Sequence, residues 1–316
     1  MRLYATIAIA LGLLLGASAH GTCALSTASQ PQGVVGLQIF YPDRPQAWAD
    51  AQDLGITWAR VELRWDRFNP EPNLFDQEYT DTVFALAATQ PNIRLLVLMN
   101  HAPLWAQSEP SLFPDRAAAA ATWLIRRYGK QVSSLEVFNE PNLGAQFGWP
   151  ALWGSGEESA KAYAKTLTAV SRAVRVHNKS VLIVTAGLSP DKDPESYARW
   201  LIRWTPSECY DGLGVHTYGQ SGRFANIARN AGLLFAQEHV KNKPLWVTEH
   251  GTDNNSERAA LLASLAAERS VMPIVFWFAD RDIFRFTDSY GLIQFDGTRK
   301  VPDYKLFQRL VKGLPL

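Results

Sequence analysis

Eight apolar runs of strand length recur along this chain, and between them the apolar spacing turns helical. The runs are GVVGLQIFYP (33–42), ITWARVELRW (56–65), IRLLVLMNHAP (93–103), SLEVFNEPN (134–142), VLIVTAGLSP (181–190), DGLGVHTYG (211–219), PLWVTEHG (244–251) and PIVFWFADRD (273–282). Helical spacing is clearest at 114–130, with an acidic start and a basic end that suit the helix dipole, and at 157–178, 222–242 and 255–270. Alternation of this kind implies a parallel sheet, because parallel neighbours need a helical crossover between them. Two architectures compete. A doubly wound open sheet usually carries a glycine-rich phosphate loop after its first strand, whereas the first run here ends in IFYPDRP. The expected fold is α/β, a single-domain (β/α)8 barrel over residues 33–316, with no internal repeat or linker.

The first residues stand apart. MRLY carries one positive charge, ATIAIALGLLLG is apolar, and Ala17-Ser18-Ala19 fits an A-x-A cleavage site. Residues 1–19 read as a signal peptide, with an uncleaved anchor as the alternative; the apolar run is short for a membrane span. Residues 20–32 form a short polar leader, and no later segment is apolar enough to span a bilayer. The mature chain is therefore expected to be secreted or periplasmic, and monomeric. With 47% hydrophobic and 19% charged residues the composition is that of a globular domain. A formal net charge of +1 supplies no basic field for nucleic acid or an anionic membrane. Cys23 and Cys209 are the only cysteines. An oxidising compartment permits a disulfide between them, but their spacing alone does not establish one.

In a (β/α)8 barrel, chemistry collects at the C-terminal ends of the strands. Those ends carry Arg60, Glu62 and Arg64 on the second run, Asn100 and His101 on the third, and Asn139 and Glu140 on the fourth. They carry His216 and Tyr218 on the sixth, Glu249 and His250 on the seventh, and Trp277, Asp280 and Asp282 on the eighth. Strands four and seven lie across a barrel from each other, so Glu140 and Glu249 would face one another over the cleft. Two carboxyl groups in that relation suit glycoside hydrolysis, provided one keeps its proton while the other stays ionised. No metal or organic cofactor is required, and His101, His216 and His250 lack the helical ligand spacing of a zinc site.

Five segments together make the chain resemble the (β/α)8 glycoside hydrolases of clan A, most closely families 39 and 5. FNEPN (138–142) is similar to the clan's Asn-Glu-Pro motif, and VTEHG (247–251) to its strand-seven motif. ITWARVELRWDRFNPEP (56–72), HTYG (216–219) and FWF (276–278) are similar to the motifs of strands two, six and eight. The resemblance implies Glu140 as acid/base, Glu249 as nucleophile, and Arg60 and Tyr218 against the nucleophile. It implies Asn139 on the sugar 2-hydroxyl, His216 beside the pair, and Trp277 beneath the sugar. His250 departs from the aromatic or aliphatic residue of many relatives.

Further expectations rest on the residues themselves. His101, Trp149 and Trp153 are candidate sugar contacts, the two tryptophans lying in the aromatic loop QFGWPALWGSG. Glu136, deeper in the fourth run, needs a cation and is expected to pair with Arg60 or Arg64. The expected activity is retaining hydrolysis of β-glycosidic bonds in an oligo- or polysaccharide. Transglycosylation in exported-polysaccharide assembly and a catalytically inactive carbohydrate-binding barrel are the alternatives. The sugar, and endo against exo action, stay open.

Overall fold

The computed structural model describes residues 22–147, 156–219, 223–283 and 289–316. Each apolar run contains a strand: β1 (Val34–Ile39), β2 (Trp58–Arg64), β3 (Arg94–Asn100), β4 (Val132–Val137), β5 (Leu182–Thr185), β6 (Leu213–His216), β7 (Leu245–His250) and β8 (Ile274–Trp277). Each strand is followed by a principal helix: α1 (Pro45–Leu54), α2 (Gln77–Ala88), α3 (Phe113–Tyr128), α4 (Gly156–His177), α5 (Pro194–Trp204), α6 (Phe224–Gln237), α7 (Arg258–Glu268) and α8 (Asp303–Val311). The boundaries follow local chemistry. Pro45 opens α1, and Gly55, at φ 81°, closes it by donating its N–H to Ala51 and Gln52 carbonyls. The Asp76 side chain caps α2 by accepting from Glu78 N–H.

The strands run β5-β4-β3-β2-β1-β8-β7-β6, and the ladders are parallel. The ring closes between β5 and β6 through the isolated bridges Val184–Gly212 and Leu188–Val215. Between those bridges Ala186 N–H donates to Tyr163 Oη (2.6 Å) and Gly187 N–H donates to Glu136 Oε1 (3.1 Å). Side chains thus take the amides that a regular ladder would use.

Strand alternation sorts the side chains into two cores. Val61, Leu63, Leu135, Val137, Val275 and Trp277 face the helices. Trp58, Leu96, Leu182, Val184, Trp246, Ile274 and Phe276 fill the barrel's lower interior, where Trp58 and Trp246 meet edge-on at 5.7 Å. Continuing the same parity upward brings Arg60 and Glu62 of β2, and Glu136 of β4, inward toward the C-terminal mouth.

The polar leader runs across the opposite face. Its Gln30 Oε1 accepts from the Trp246 indole (2.9 Å), and Ser26 N–H donates to Asp211 (2.7 Å). Arg175 bonds the Ala24 carbonyl (2.7 Å) and pairs with buried Asp211. Cys23 and Cys209 form a disulfide, with Cα atoms 4.8 Å apart.

Candidate active site

The end of β4 is shaped by two residues in the left-handed region, Phe138 (φ 65°) and Glu140 (φ 43°). Phe138 drops its ring into the helix-side core against Trp65 and Phe113. Glu140 N–H donates to the Gly187 carbonyl (2.9 Å), fixing the turn from β4 to the neighbouring strand. Asn139 and Glu140 thereby line a cleft of about 480 Å³, together with Arg60, Glu62, Asn100, His101, Tyr218 and Glu249. On the other wall, register shifts in β6 and β7 set His216 directly beside Glu249.

Arg60 organises the floor. Its Nε donates to Glu136 Oε2 (2.6 Å), and its Nη1 to Glu249 Oε1 (2.6 Å) and Gln38 Oε1 (2.8 Å). Its Nη2 donates to Asn139 Oδ1 (2.9 Å). Burial opposes the guanidinium charge, but Glu136 and Glu249 outweigh it and drive the Arg60 pKa above its ordinary value. Asn139, with its oxygen taken, keeps its amide N–H2 for the cleft.

Glu140 and Glu249 come together at the mouth. Ligand atoms of Glu140, His216 and Glu249 all lie within 4.8 Å of one another. His216 Nδ1 bridges them, 2.7 Å from Glu140 Oε1 and 3.5 Å from Glu249 Oε2. Burial disfavours the imidazolium, yet the two carboxylates prevail and raise the His216 pKa. Tyr218 donates its phenol to Glu249 Oε2. Burial, then the adjacent Glu249 charge, hold that phenol protonated by raising its pKa well above 10.0. Three such groups could share a cation. Here Arg60, His216 and Tyr218 already supply the charge and donors that the two carboxylates need.

The remaining candidates divide. His101 lines the cleft with its Nε2 3.0 Å from Glu62 Oε1. Trp277, expected beneath a sugar, is instead fully buried on the helix side, packed on Phe307 and His250. The cause is parity: Ile274 and Phe276 point inward, so Trp277 points out. The residue after it, Phe278, lines the cleft instead, edge-on to Phe40, Tyr218 and Tyr290, which line it as well. Counting inward and outward positions along β8 would have excluded Trp277. Nothing in the sequence marked Gln38, whose partner Arg60 lies a strand away.

Trp149 and Trp153 fall outside the described residues. His250 also faces the helices, beside Phe224 and Trp277, where burial lowers its pKa to about 4. Asp280 accepts from Arg281 and from Phe40 N–H, while Asp282 binds Lys300 (2.7 Å). Both hold the last loop.

Solved structures share this fold at low identity. A family 39 glycoside hydrolase from Bacteroides cellulosilyticus WH2 is 18% identical with a TM-score of 0.68, over 89% of this chain and 64% of that one. A broad-specificity GH5-4 endoglucanase from Clostridium longisporum is 13% identical with a TM-score of 0.70, over 92% and 100%. An exo-β-1,4-mannosidase from Opitutaceae bacterium strain TAV5 is 16% identical with a TM-score of 0.65, over 93% and 62%. The chain thus spans less than two thirds of the family 39 and mannosidase structures. No curated protein matches it in sequence. The cellulase model of glycosyl hydrolase family 5 matches residues 26–282, a stretch that contains all eight strands, Glu140 and Glu249. The chain belongs to glycosyl hydrolase family 5, the cellulase family.

Proposed function

We propose that the protein is a retaining hydrolase of β-glycosidic bonds in an oligo- or polysaccharide, with Glu249 as nucleophile and Glu140 as acid/base. The observation that carries this reading is that a carboxyl oxygen of Glu140 and one of Glu249 lie within 4.8 Å of each other. Retaining enzymes hold theirs about 5–5.5 Å apart, whereas inverting enzymes leave room for a water at about 6.5–9.5 Å.

Each neighbour then has a task. Glu249 attacks C1 as the C1–O bond breaks, and Glu140 passes its proton to the leaving oxygen. In the second half, Glu140 takes a proton from water, whose oxygen displaces Glu249 from C1. Arg60 and Tyr218 hold Glu249 aimed at C1 through a charge-assisted bond and a phenol bond. His216 steadies Glu140. Asn139 offers its free amide hydrogens to the 2-hydroxyl, a bond that strengthens in an oxocarbenium-like transition state. Phe278 gives the sugar an apolar face to lie against, and His101 closes the far wall.

The protein acts outside the cytoplasm as a monomer on a carbohydrate substrate, its residues 1–19 serving as a signal peptide. The Cys23–Cys209 disulfide suits an oxidising compartment. Among the described residues no helix is long and apolar enough to cross a membrane.

The test is a screen of wild type and Glu249→Gln on gluco-, manno-, xylo- and galacto-configured aryl β-glycosides and polysaccharides. Wild type should release product with net retention at C1, and the variant should lose essentially all turnover. Inversion at C1, or undiminished turnover by the variant, would refute the assignment. Mass spectrometry of the products separates hydrolysis from transfer.

A further inference from the structure

Glu62 lies two residues beyond Arg60 on β2, on the same inward face and nearer the mouth. Its Oε1 accepts twice, from Asn100 Nδ2 (2.7 Å) and from His101 Nε2 (3.0 Å). No donor among the described residues reaches Oε2. The side chain is 28% exposed and lines the cleft, where water reaches this carboxylate. Asn100 is 3% exposed and its Oδ1 also lacks a partner among the described residues. His101 is held at φ 55°, a left-handed conformation that turns it at the end of β3 and that persists only where its surroundings enforce it. Burial works against the Glu62 charge, but the bonds from His101 and Asn100, with Arg60 nearby, keep its pKa below the ordinary value.

We propose that Glu62 is the specificity-determining acceptor that reads the C3–C4 edge of the sugar next to the scissile bond, taking a hydroxyl donor on Oε2. This rests on the hydrolase reading above. The geometry follows from the order of strands around the barrel, β4 then β3 then β2. A ring with C1 at Glu249 and its 2-hydroxyl at Asn139 turns its C3–C4 edge toward His101 and Glu62. The energetics follow from desolvation. A sugar entering the cleft strips water from Oε2, and an ionised oxygen left without a donor is costly. The glycone must supply that donor. The substrate class is therefore a glycan whose reacting sugar carries a free hydroxyl at C3 or C4. If the contacted group is the 4-hydroxyl, a 1,4-linked polymer can be attacked only at its non-reducing end.

The experiment pairs the enzyme with deoxy sugars. Wild type and Glu62→Gln are assayed on the aryl β-glycoside that wild type hydrolyses best, and on its 3-deoxy and 4-deoxy analogues. Glutamine keeps an oxygen for Asn100 and His101 but removes the charge and replaces the second acceptor. On the parent glycoside kcat/KM should fall about 10- to 100-fold. On the analogue that lacks the contacted hydroxyl, the two enzymes should agree within about threefold. An equal loss on the parent and both analogues would mark a structural role and overturn the proposal, as would no loss on the parent. Should Glu62→Gln fail to fold, wild type must itself disfavour one deoxy analogue by at least about tenfold, and equal rates sink the idea. A wild type inactive on every glycoside removes the hydrolase reading and this inference together. An active wild type whose losses ignore the deoxy position removes only the latter.

Discussion

Arg60 and Glu249 meet at 2.6 Å, and the same guanidinium holds Glu136 at 2.6 Å on its other edge. One guanidinium therefore serves two buried carboxyl groups. Arg60→Ala strips both of their guanidinium partner, and urea unfolding should show a loss of about 3–5 kcal/mol. Arg60→Lys keeps the charge but cannot span Glu136, Gln38, Glu249 and Asn139 at once. It should fold better than the alanine variant while kcat/KM still drops about 100-fold or more, through misaimed Glu249 and Asn139. An alanine variant within about 1 kcal/mol of wild type would contradict this.

His216 and His250 should bend stability in opposite directions with pH. The His216 pKa is raised in the fold. Its contribution is complete below the unfolded value near 6.5 and is lost as pH rises through the folded value. His250 is lowered to about 4 by burial. Its contribution is present above about 6.5 and is lost as pH falls toward 4, up to about 3 kcal/mol at ~1.4 kcal/mol per unit. Melting His216→Gln and His250→Gln across pH 4 to 9 checks both signs. The gap from wild type should shrink with rising pH for the first and with falling pH for the second.

Gly187 has no room for a side chain. A Cβ there would meet His216 Nε2 at 2.1 Å and Thr248 Oγ1 at 2.4 Å. Gly187→Ala should cost about 1–3 kcal/mol through overpacking. Displacing His216 from Glu140 should also lower kcat by about tenfold or more. Gly232, inside α6 with open space around its Cβ position, is the contrasting case. Gly232→Ala should stabilise by about 0.5–1 kcal/mol and leave kcat unchanged.

The Cys23–Cys209 bond closes a loop across 186 positions on the face away from the cleft. Replacing both cysteines by serine should lower stability by about 2–5 kcal/mol, read by denaturant unfolding. Activity well below the new melting point should stay within about twofold, because neither cysteine is among the residues that line the cleft. A large fall in kcat would tie the two faces together instead.

The strands and most of the site were legible because both follow simple periodicities. Glu136 could be given a β2 arginine in advance, Arg60 or Arg64, because a buried carboxylate needs a cation; the inward position of Arg60 decides between them, and Arg64 turns to Asp66. Trp277 misled because a tryptophan at a strand end suggests a sugar platform, and parity along β8 overrides that suggestion. The leader was opaque for another reason. Its polar composition suits a tether equally well as a strip whose amides and side chains bond the barrel's lower face through Asp211 and Trp246. Nothing in the sequence singled out Gly187, because the clash that excludes a side chain there comes from residues 29 and 61 positions away.

His101, Phe138 and Glu140 all sit at positive φ, at the ends of two adjacent strands. Non-glycine residues in that region cost about 1–3 kcal/mol each when sterically strained. The barrel elsewhere must absorb this, so catalytic competence and thermodynamic ease pull against each other at Glu140. Asparagine tolerates the left-handed region better than glutamate. Glu140→Asn should therefore be inactive on poor leaving groups yet resist urea at least as well as wild type. A lineage released from selection for turnover would drift toward such a residue, growing sturdier as it lost its acid.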